Sequence, residues 1–237
     1  MSAPHRPLGK DTVSVVIPCF NTERYVAEAL KSVLAQIEAE DEIVVLDDGS
    51  TDGSDAAIAQ FAPRVRYLRQ DNQGISAARN AGVRAANRSL IAFLDADDLW
   101  TAGCLALRRR ALAADPALDY VYGAVEPFIS PDVDEATRHQ IGPLPAVQPG
   151  RVAGTMLIRR RVFDSVGLFD AKFKIGETMD WVARVDAAGH RSMDVGAVIL
   201  RRRVHGANTV IKQRTMQGDY LRVLRAAIER RRGASGS

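Results

Sequence analysis

The chain has 237 residues, a formal net charge of +3, 46% hydrophobic and 26% charged residues, the balance of a globular protein with enough length for one large core. No apolar run approaches the ~20 residues that span a bilayer, and the opening MSAPHRPLGKD lacks the hydrophobic segment of a secretory signal. Cys19 and Cys104 lie far apart in apolar settings, which argues against a disulfide framework or a zinc site and predicts reduced core thiols in a cytoplasmic protein.

Residues 1–12 read as a flexible tail. Val13 to Ile17 (VSVVI) predicts a buried strand ending at Pro18. Thr22 to Gln36 predicts a helix, with Tyr25, Val26, Ala29, Leu30, Val33 and Leu34 on one face. Glu42 to Leu46 is a second strand, followed by DDGSTDGS and a short helix to Phe61. Val65 to Leu68 is a third strand, Ile75 to Ala86 an alanine-rich helix and Leu90 to Leu94 a fourth strand. Thr101 to Ala114 follows as a helix and Asp119 to Tyr122 as a short strand. Strands alternating with helices predict a parallel α/β sheet with right-handed crossovers, whose ligands lie at the carboxyl ends of the strands. Pro18, Asp47 and Asp95 fall there. The second half is less regular. Glu126 to Gly150 is proline-rich and reads as a long loop over the site. Gly154 to Ile158 is a strand, Arg161 to Val166 a short helix ending at Gly167, and Thr178 to Ala188 a helix stopped by Gly189. Met193 to Leu200 is a strand, and Gln213 to Arg232 a closing basic amphipathic helix.

The densest chemistry lies in LIAFLDADDLW, where a hydrophobic strand stops at Asp95, Asp97 and Asp98. Negative charge gathered beside a core is costly unless a cation offsets it. Asp95 and Asp97 could share a hard ion, Mg²⁺ or Mn²⁺, with phosphate oxygens. The plain alternative is an acidic helix start, with Asp98 capping a helix near Thr101. Arginine triplets occur at 108–110, 159–161, 201–203 and 230–232. Singly each reads as a solvated face. Together they suggest attraction to an anion: a diphosphate, an acidic acceptor or a membrane surface. No aromatic residues interleave with them, which argues against nucleic acid.

Six motifs in order, VSVVIPCFN, VVLDDGSTD, NQGISAARNAG, FLDADD, GTMLIRRRVFDSVGLFD and GETMDW, resemble the family 2 glycosyltransferases over Val13 to Asn208. The resemblance implies the GT-A fold, a Rossmann-like α/β/α sandwich with a mostly parallel central sheet, here with a C-terminal helical extension at 211–237. It divides 13–210 into a nucleotide-binding half (13–122) and an acceptor-binding half (123–210). It implies inverting, metal-dependent transfer of a sugar from a nucleoside diphosphate donor, UDP-linked by expectation, to a glycan, a lipid-linked glycan or a peptide.

By the same resemblance Asp47 and Asp48 face the nucleotide, with Asp48 nearer the uracil or ribose. Asp48 and Ser50 could instead form a turn and cap the next helix. Pro18, Phe20 and Asn21 would line the nucleotide pocket, though Pro18 could simply end its strand. Gln73 and Gly74 would approach the base or diphosphate, and Arg79 and Asn80 would either join them or tie their helix down. The D-x-D element falls on Asp95, Ala96 and Asp97, with Asp97 on the metal and Asp95 on the ribose or the metal shell. His205 sits where many relatives supply a further metal or diphosphate ligand, or is a plain surface histidine. Relatives carry adjacent Glu-Asp where this chain has Glu177 and Thr178. Asp180, before Trp181 as an acceptor platform, is the preferred general base and Glu177 its close rival. Either acid could merely cap its helix.

Two other enzyme classes fail at the first loop, since PCFNTERY carries no glycine. A nucleotidyltransferase or a dinucleotide-dependent oxidoreductase needs a glycine-rich turn there. A catalytically degenerate partner or scaffold stays open, supported by the missing Glu-Asp pair. The closing helix leaves peripheral contact with the inner membrane face as an expectation.

Overall fold

The computed structural model describes residues 11–173 and 175–206. Most of the expected tail, Asn208 and the closing helix at 213–232 lie outside the described residues. The elements are β1 (Val13–Cys19), α1 (Val26–Leu34), β2 (Glu42–Asp47), α2 (Ser54–Ala59), β3 (Arg66–Arg69), α3 (Ile75–Ala85) and β4 (Leu90–Phe93). They continue with β5 (Leu99–Trp100), α4 (Cys104–Ala114), β6 (Tyr120–Ile129), α5 (Glu135–Ile141) and β7 (Gln148–Pro149). A 3₁₀ turn (Ala153–Thr155), β8 (Leu157–Arg159), α6 (Arg160–Val166), α7 (Glu177–Ala187) and β9 (Ser192–Val204) complete the order.

The strands form one sheet in the order β3-β2-β1-β4-β8-β6-β9-β5, with β7 beside β6. β1 to β4 pair in parallel, and β6 and β9 pair in parallel with each other. β8 is the antiparallel strand between these two blocks, so β6 and β9 point the same way as β1 to β4. Period-two alternation puts Val13, Val15 and Ile17 on one face, packed with Val26, Leu30 and Val33 of α1 and with Leu105 and Leu112 of α4. Val16, Ile91 and Phe93 face the other way, against Val83 of α3, Phe163 of α6 and Trp181 and Val185 of α7. The result is an α/β/α sandwich, the architecture that the resemblance implies. Gly82 lets α3 close on β1, because a Cβ there would stand 2.2 Å from a Val16 methyl.

Several expectations change. β1 runs through Pro18 to Cys19, since β4 pairs with β1 only as far as Val16 and asks no N–H of Pro18. The stretch from 126 is not one loop: β6 extends to Ile129, held by the long β9, and α5 and β7 follow. Leu99–Trp100 pairs with β9, so the helix after the aspartates begins at Cys104 behind Gly103. Asp98 therefore caps nothing; its Oδ1 accepts the Arg203 N–H at 2.8 Å.

The described arginine triplets are mixed: Arg108 and Arg203 are buried, and Arg110, Arg161 and Arg202 are exposed. Arg108 is fully buried, giving its donors to Cys104 and to the carbonyls of Thr155 and Met156 over the Trp100 ring. Arg109 meets Asp41, Arg159 meets Asp11, and Arg160 ties the α3 C-terminus through the Ala86 carbonyl. Arg161 meets Asp119, and Arg201 meets Glu126. These guanidiniums knit the chain together, so they serve the fold as well as any anion. Residues 230–232 lie outside the described residues.

Candidate active site

The motif loops converge at the carboxyl ends of β1, β2 and β4. The first two are zipped together: the Asp48 N–H donates to the Cys19 carbonyl at 2.8 Å, and the Asn21 N–H to Ser50 Oγ at 3.0 Å. Asn21 Oδ1 accepts the Thr51 N–H at 2.8 Å. Asn21 adopts φ 52, a left-handed turn that asparagine tolerates. Gly49 is required at φ +79, where a Cβ would also meet the Asn72 nitrogen at 2.9 Å.

The two adjacent aspartates do different work. Asp47 is enclosed, and its carboxylate accepts from the Ser50 N–H (2.8 Å), Tyr67 Oη (2.6 Å) and Arg69 (2.9 Å). Burial pushes its carboxyl up, but these donors and the Arg69 charge outweigh that and hold it below its ordinary value. Asp47 is thus a brace inside the loop, not a group facing a ligand. Asp48 Oδ1 accepts from Gln70 Nε2 (2.7 Å) and the Gln73 N–H (3.0 Å), and Oδ2 from the Gly74 N–H (2.8 Å). It thereby aims the exposed Gln73–Gly74 corner and the start of α3. Neither aspartate caps α2, whose cap position is Gly53. Phe20 stands 48% exposed at the mouth, an aromatic face open to solvent, while Pro18 is buried in β1.

The second focus is the turn after β4. Ala96 is buried in the core, so its side chain does not line the site. Arg79, from α3, reaches Asp95 Oδ1 with one amino group (2.7 Å) and Glu177 Oε1 with the other. Burial pulls this guanidinium down, but the two carboxylates prevail and hold it above its ordinary value. Asn80 ties the helix down instead, exchanging bonds with the Phe169 N–H (2.9 Å) and carbonyl (2.8 Å). Asp97 Oδ2 and His205 Nε2 share a hydrogen bond at 3.2 Å, and the imidazole packs against Tyr25 with ring centres 4.6 Å apart and a tilt of 39°. Burial, and then the charges of Asp97 and Asp95, push the Asp98 carboxyl well above its ordinary range. Negative charge is crowded at this turn even with Arg79 and Arg203 beside it.

The donor chemistry fits a divalent ion. Two cis ligands about 2.1 Å from an octahedral ion stand roughly 3 Å apart, so the hydrogen-bonded Asp97 and His205 atoms could both turn to one ion without moving apart. Among the described residues no group of three or more His, Cys, Asp or Glu is arranged around such a point. The protein would supply a pair of ligands, and a diphosphate would have to supply others. A cavity of about 370 Å³ opens beside His205, lined by Asn21, Glu23, Tyr25, Asp132 and Thr137.

The two acids of GETMDW diverge. Glu177 shares Arg79 with Asp95, with both described contacts on Oε1. Asp180 pairs with Arg184 (3.0 Å), whose guanidinium also holds the carbonyls of Val166 and Leu168. Trp181 is fully buried, stacked at 4.8 Å on Phe163 with its indole N–H on the Gly167 carbonyl. It is no acceptor platform, which removes the reason for preferring Asp180. Tyr67, Arg69 and Gln70 carry no motif that singles them out, and Arg203 stands in the sequence only as one member of a triplet. For Arg203 a local signal existed, two positions before His205, but its partners are remote in sequence.

The sequence profile described as Glycosyl transferase family 2 matches residues 14–167, well over half of the chain. Over 92 residues the chain is 48% identical to a glycosyltransferase of Nostoc sp., covering 37% of this chain and 29% of that protein. The glycosyltransferase GlyA of Streptococcus pneumoniae is 38% identical over 91 residues, covering 37% of this chain and 13% of its own. The chain thus spans less than a third of the length of these relatives. Among solved structures, S. aureus TarS 1-349 superposes with a TM-score of 0.70 at 17% identity, over 92% of this chain and 65% of that one. The mannosyltransferase PcManGT of Pyrobaculum calidifontis does so with a TM-score of 0.68 at 21% identity, over 94% and 66%. With the profile match across both motif loops and the D-x-D turn, the chain belongs to glycosyl transferase family 2.

Proposed function

We propose that this chain transfers a sugar from a nucleoside diphosphate donor, UDP-linked by preference, to an acceptor nucleophile with inversion at the anomeric carbon. The observation that carries the reading is the convergence of Asp48, the Asp95–Asp97 turn and His205 from three separate segments, with Asp97 and His205 in contact at a spacing one ion could bridge. Similar folds support it: TarS structures exist with UDP and with UDP-GlcNAc, and PcManGT with GDP-Man and Mn²⁺. Asp97 and His205 would hold Mn²⁺ or Mg²⁺, with Asp95 behind them. When bound, such an ion offsets the charge that grows on a departing diphosphate.

The other roles belong to side chains. Phe20 offers its exposed face to the base, beside Asn21. Asp48, with three donors on about four acceptor positions, can take one more hydrogen from a base or ribose, while Asp47 braces the loop behind it. Gln73 and Gly74 lead the donor toward the start of α3. Arg79 keeps Asp95 and Glu177 side by side. Glu177 acts as general base: as the acceptor oxygen bonds to the anomeric carbon and the bond to the diphosphate breaks, Glu177 takes the acceptor proton. The acceptor is a glycan, lipid-linked glycan or peptide, met in the cytoplasm or at the inner membrane face. Among the described residues no helix is long and apolar enough to cross a membrane.

The test is thermal stabilisation of the full chain by UDP, GDP and TDP sugars with Mn²⁺. A donor at about 100 times its Kd adds roughly 2.7 kcal/mol of stability. One nucleotide should raise Tm by several degrees and lose that effect in EDTA. No shift with any of them contradicts the reading.

A further inference from the structure

We infer that Arg203 is a positioning residue that sets the distance between Asp97 and His205, and so the affinity of this site for a divalent ion; the inference rests on the metal-holding role proposed above for that pair. Arg203 is 3% exposed, at the end of β9. Its Nε donates to the Asp97 carbonyl (2.9 Å), its main-chain N–H to Asp98 Oδ1 (2.8 Å), and its two amino groups to Ser130 Oγ (3.1 Å) and Glu28 Oε2 (2.6 Å). The guanidinium carbon lies 4.9 Å from the ring centres of both Tyr25 and Phe128.

β9 therefore grips the aspartate turn at two levels. Arg203 fixes the backbone of Asp97, and His205, two residues on, meets the Asp97 side chain. Tyr25 contacts both the guanidinium, 4.9 Å from its ring centre, and the imidazole, whose ring is tilted by 39° at 4.6 Å, so the cation, the ring and the histidine pack together behind the carboxylate. A planar fork with several fixed donors holds α1, β6 and the aspartate turn at once; an ammonium on a flexible stem cannot reproduce that geometry. Ligands held by their neighbours' hydrogen bonds are the ones that bind metal tightly, and loss of such support commonly weakens affinity by 10–100-fold.

The test titrates Mn²⁺ into the full chain, alone and then with UDP, reading bound ion by electron paramagnetic resonance and folding by circular dichroism. Arg203→Met should stay folded and bind Mn²⁺ at least tenfold more weakly, with Arg203→Lys between it and the wild type. Glu28→Gln, which loosens only one anchor and leaves the core intact, should weaken binding by a few fold. If Arg203→Met does not fold, the lysine and Glu28 variants decide. Folded variants with wild-type Mn²⁺ affinity overturn the inference and leave the proposed function standing. A wild-type chain that binds no Mn²⁺ in either titration refutes the metal-holding role and this inference with it.

Discussion

Removing the cation that joins the two halves of the site is the most telling perturbation. Arg79 is 6% exposed at its side chain and holds both Asp95 and Glu177. Deleting one partner of a buried ion pair costs about 3–5 kcal/mol, because a charge is left without compensation. Asp95 is 38% exposed and regains water, so its share is small; Glu177, at 12%, remains in the protein. Arg79→Met keeps an unbranched apolar stem and removes only the guanidinium, whose carbon lies 6.0 Å from the Phe169 ring centre. We therefore expect a loss of about 2–4 kcal/mol, which for a chain of this size lowers Tm by roughly 5–15 °C. In a double-mutant cycle, Glu177→Gln in the Arg79→Met background should recover about 1–3 kcal/mol. Thermal and urea unfolding of the four proteins measure both quantities. A change below about 2 °C, or a strictly additive cycle, would show that Arg79 does not hold Glu177 as described.

Glu177→Gln should reduce turnover about 10²-fold or more with little change in donor KM, whereas Asp180→Asn should lower stability through Arg184 and leave turnover within a few fold; steady-state kinetics of both variants would reveal the opposite pattern if Asp180 were the base. The Asp47 carboxyl is held below its ordinary value in the folded chain, so its stabilisation is present above about pH 4 and is lost as pH falls through the depressed value. Wild-type protein should accordingly exceed Asp47→Asn in stability at pH 7 by about 1–3 kcal/mol and lose that margin toward pH 3; a margin independent of pH in urea unfolding refutes it. Gly82→Ala forces a methyl to within 2.2 Å of Val16 and should cost about 1–3 kcal/mol or more, seen as a fall in Tm; an unchanged Tm would mean that α3 and β1 are less tightly packed.

Much of the first half was legible because local signals repeat there. Short β-branched runs, loop residues and helical periodicity place β1 to β4, α2 and α3 within a residue or two, set α1 four residues too early at its start, and put the motif loops at one sheet edge. β6 was less legible, because Val125 to Ile129 carries proline and charge and becomes a strand only by pairing with β9. Leu99–Trp100 is a strand for the same reason. Within the site, the chain announces Asp95, Asp97 and Glu177 by residue type, but not their partners. Arg79 meets Glu177 across 98 positions and Arg203 meets Glu28 across 175. Nothing local separates a buried Asp47 from an outward Asp48, or a core Trp181 from a surface one. Those choices are made by tertiary packing.

The account turns on whether Asp97 and His205 hold a divalent ion on a nucleotide-sugar donor, and donor turnover measures that most directly. With the donor that best stabilises the chain, turnover should require Mn²⁺ or Mg²⁺, stop in EDTA, and fall at least a hundredfold in Asp97→Ala. Equal turnover in EDTA and Mn²⁺, or an Asp97→Ala variant as active as the wild type, would contradict it.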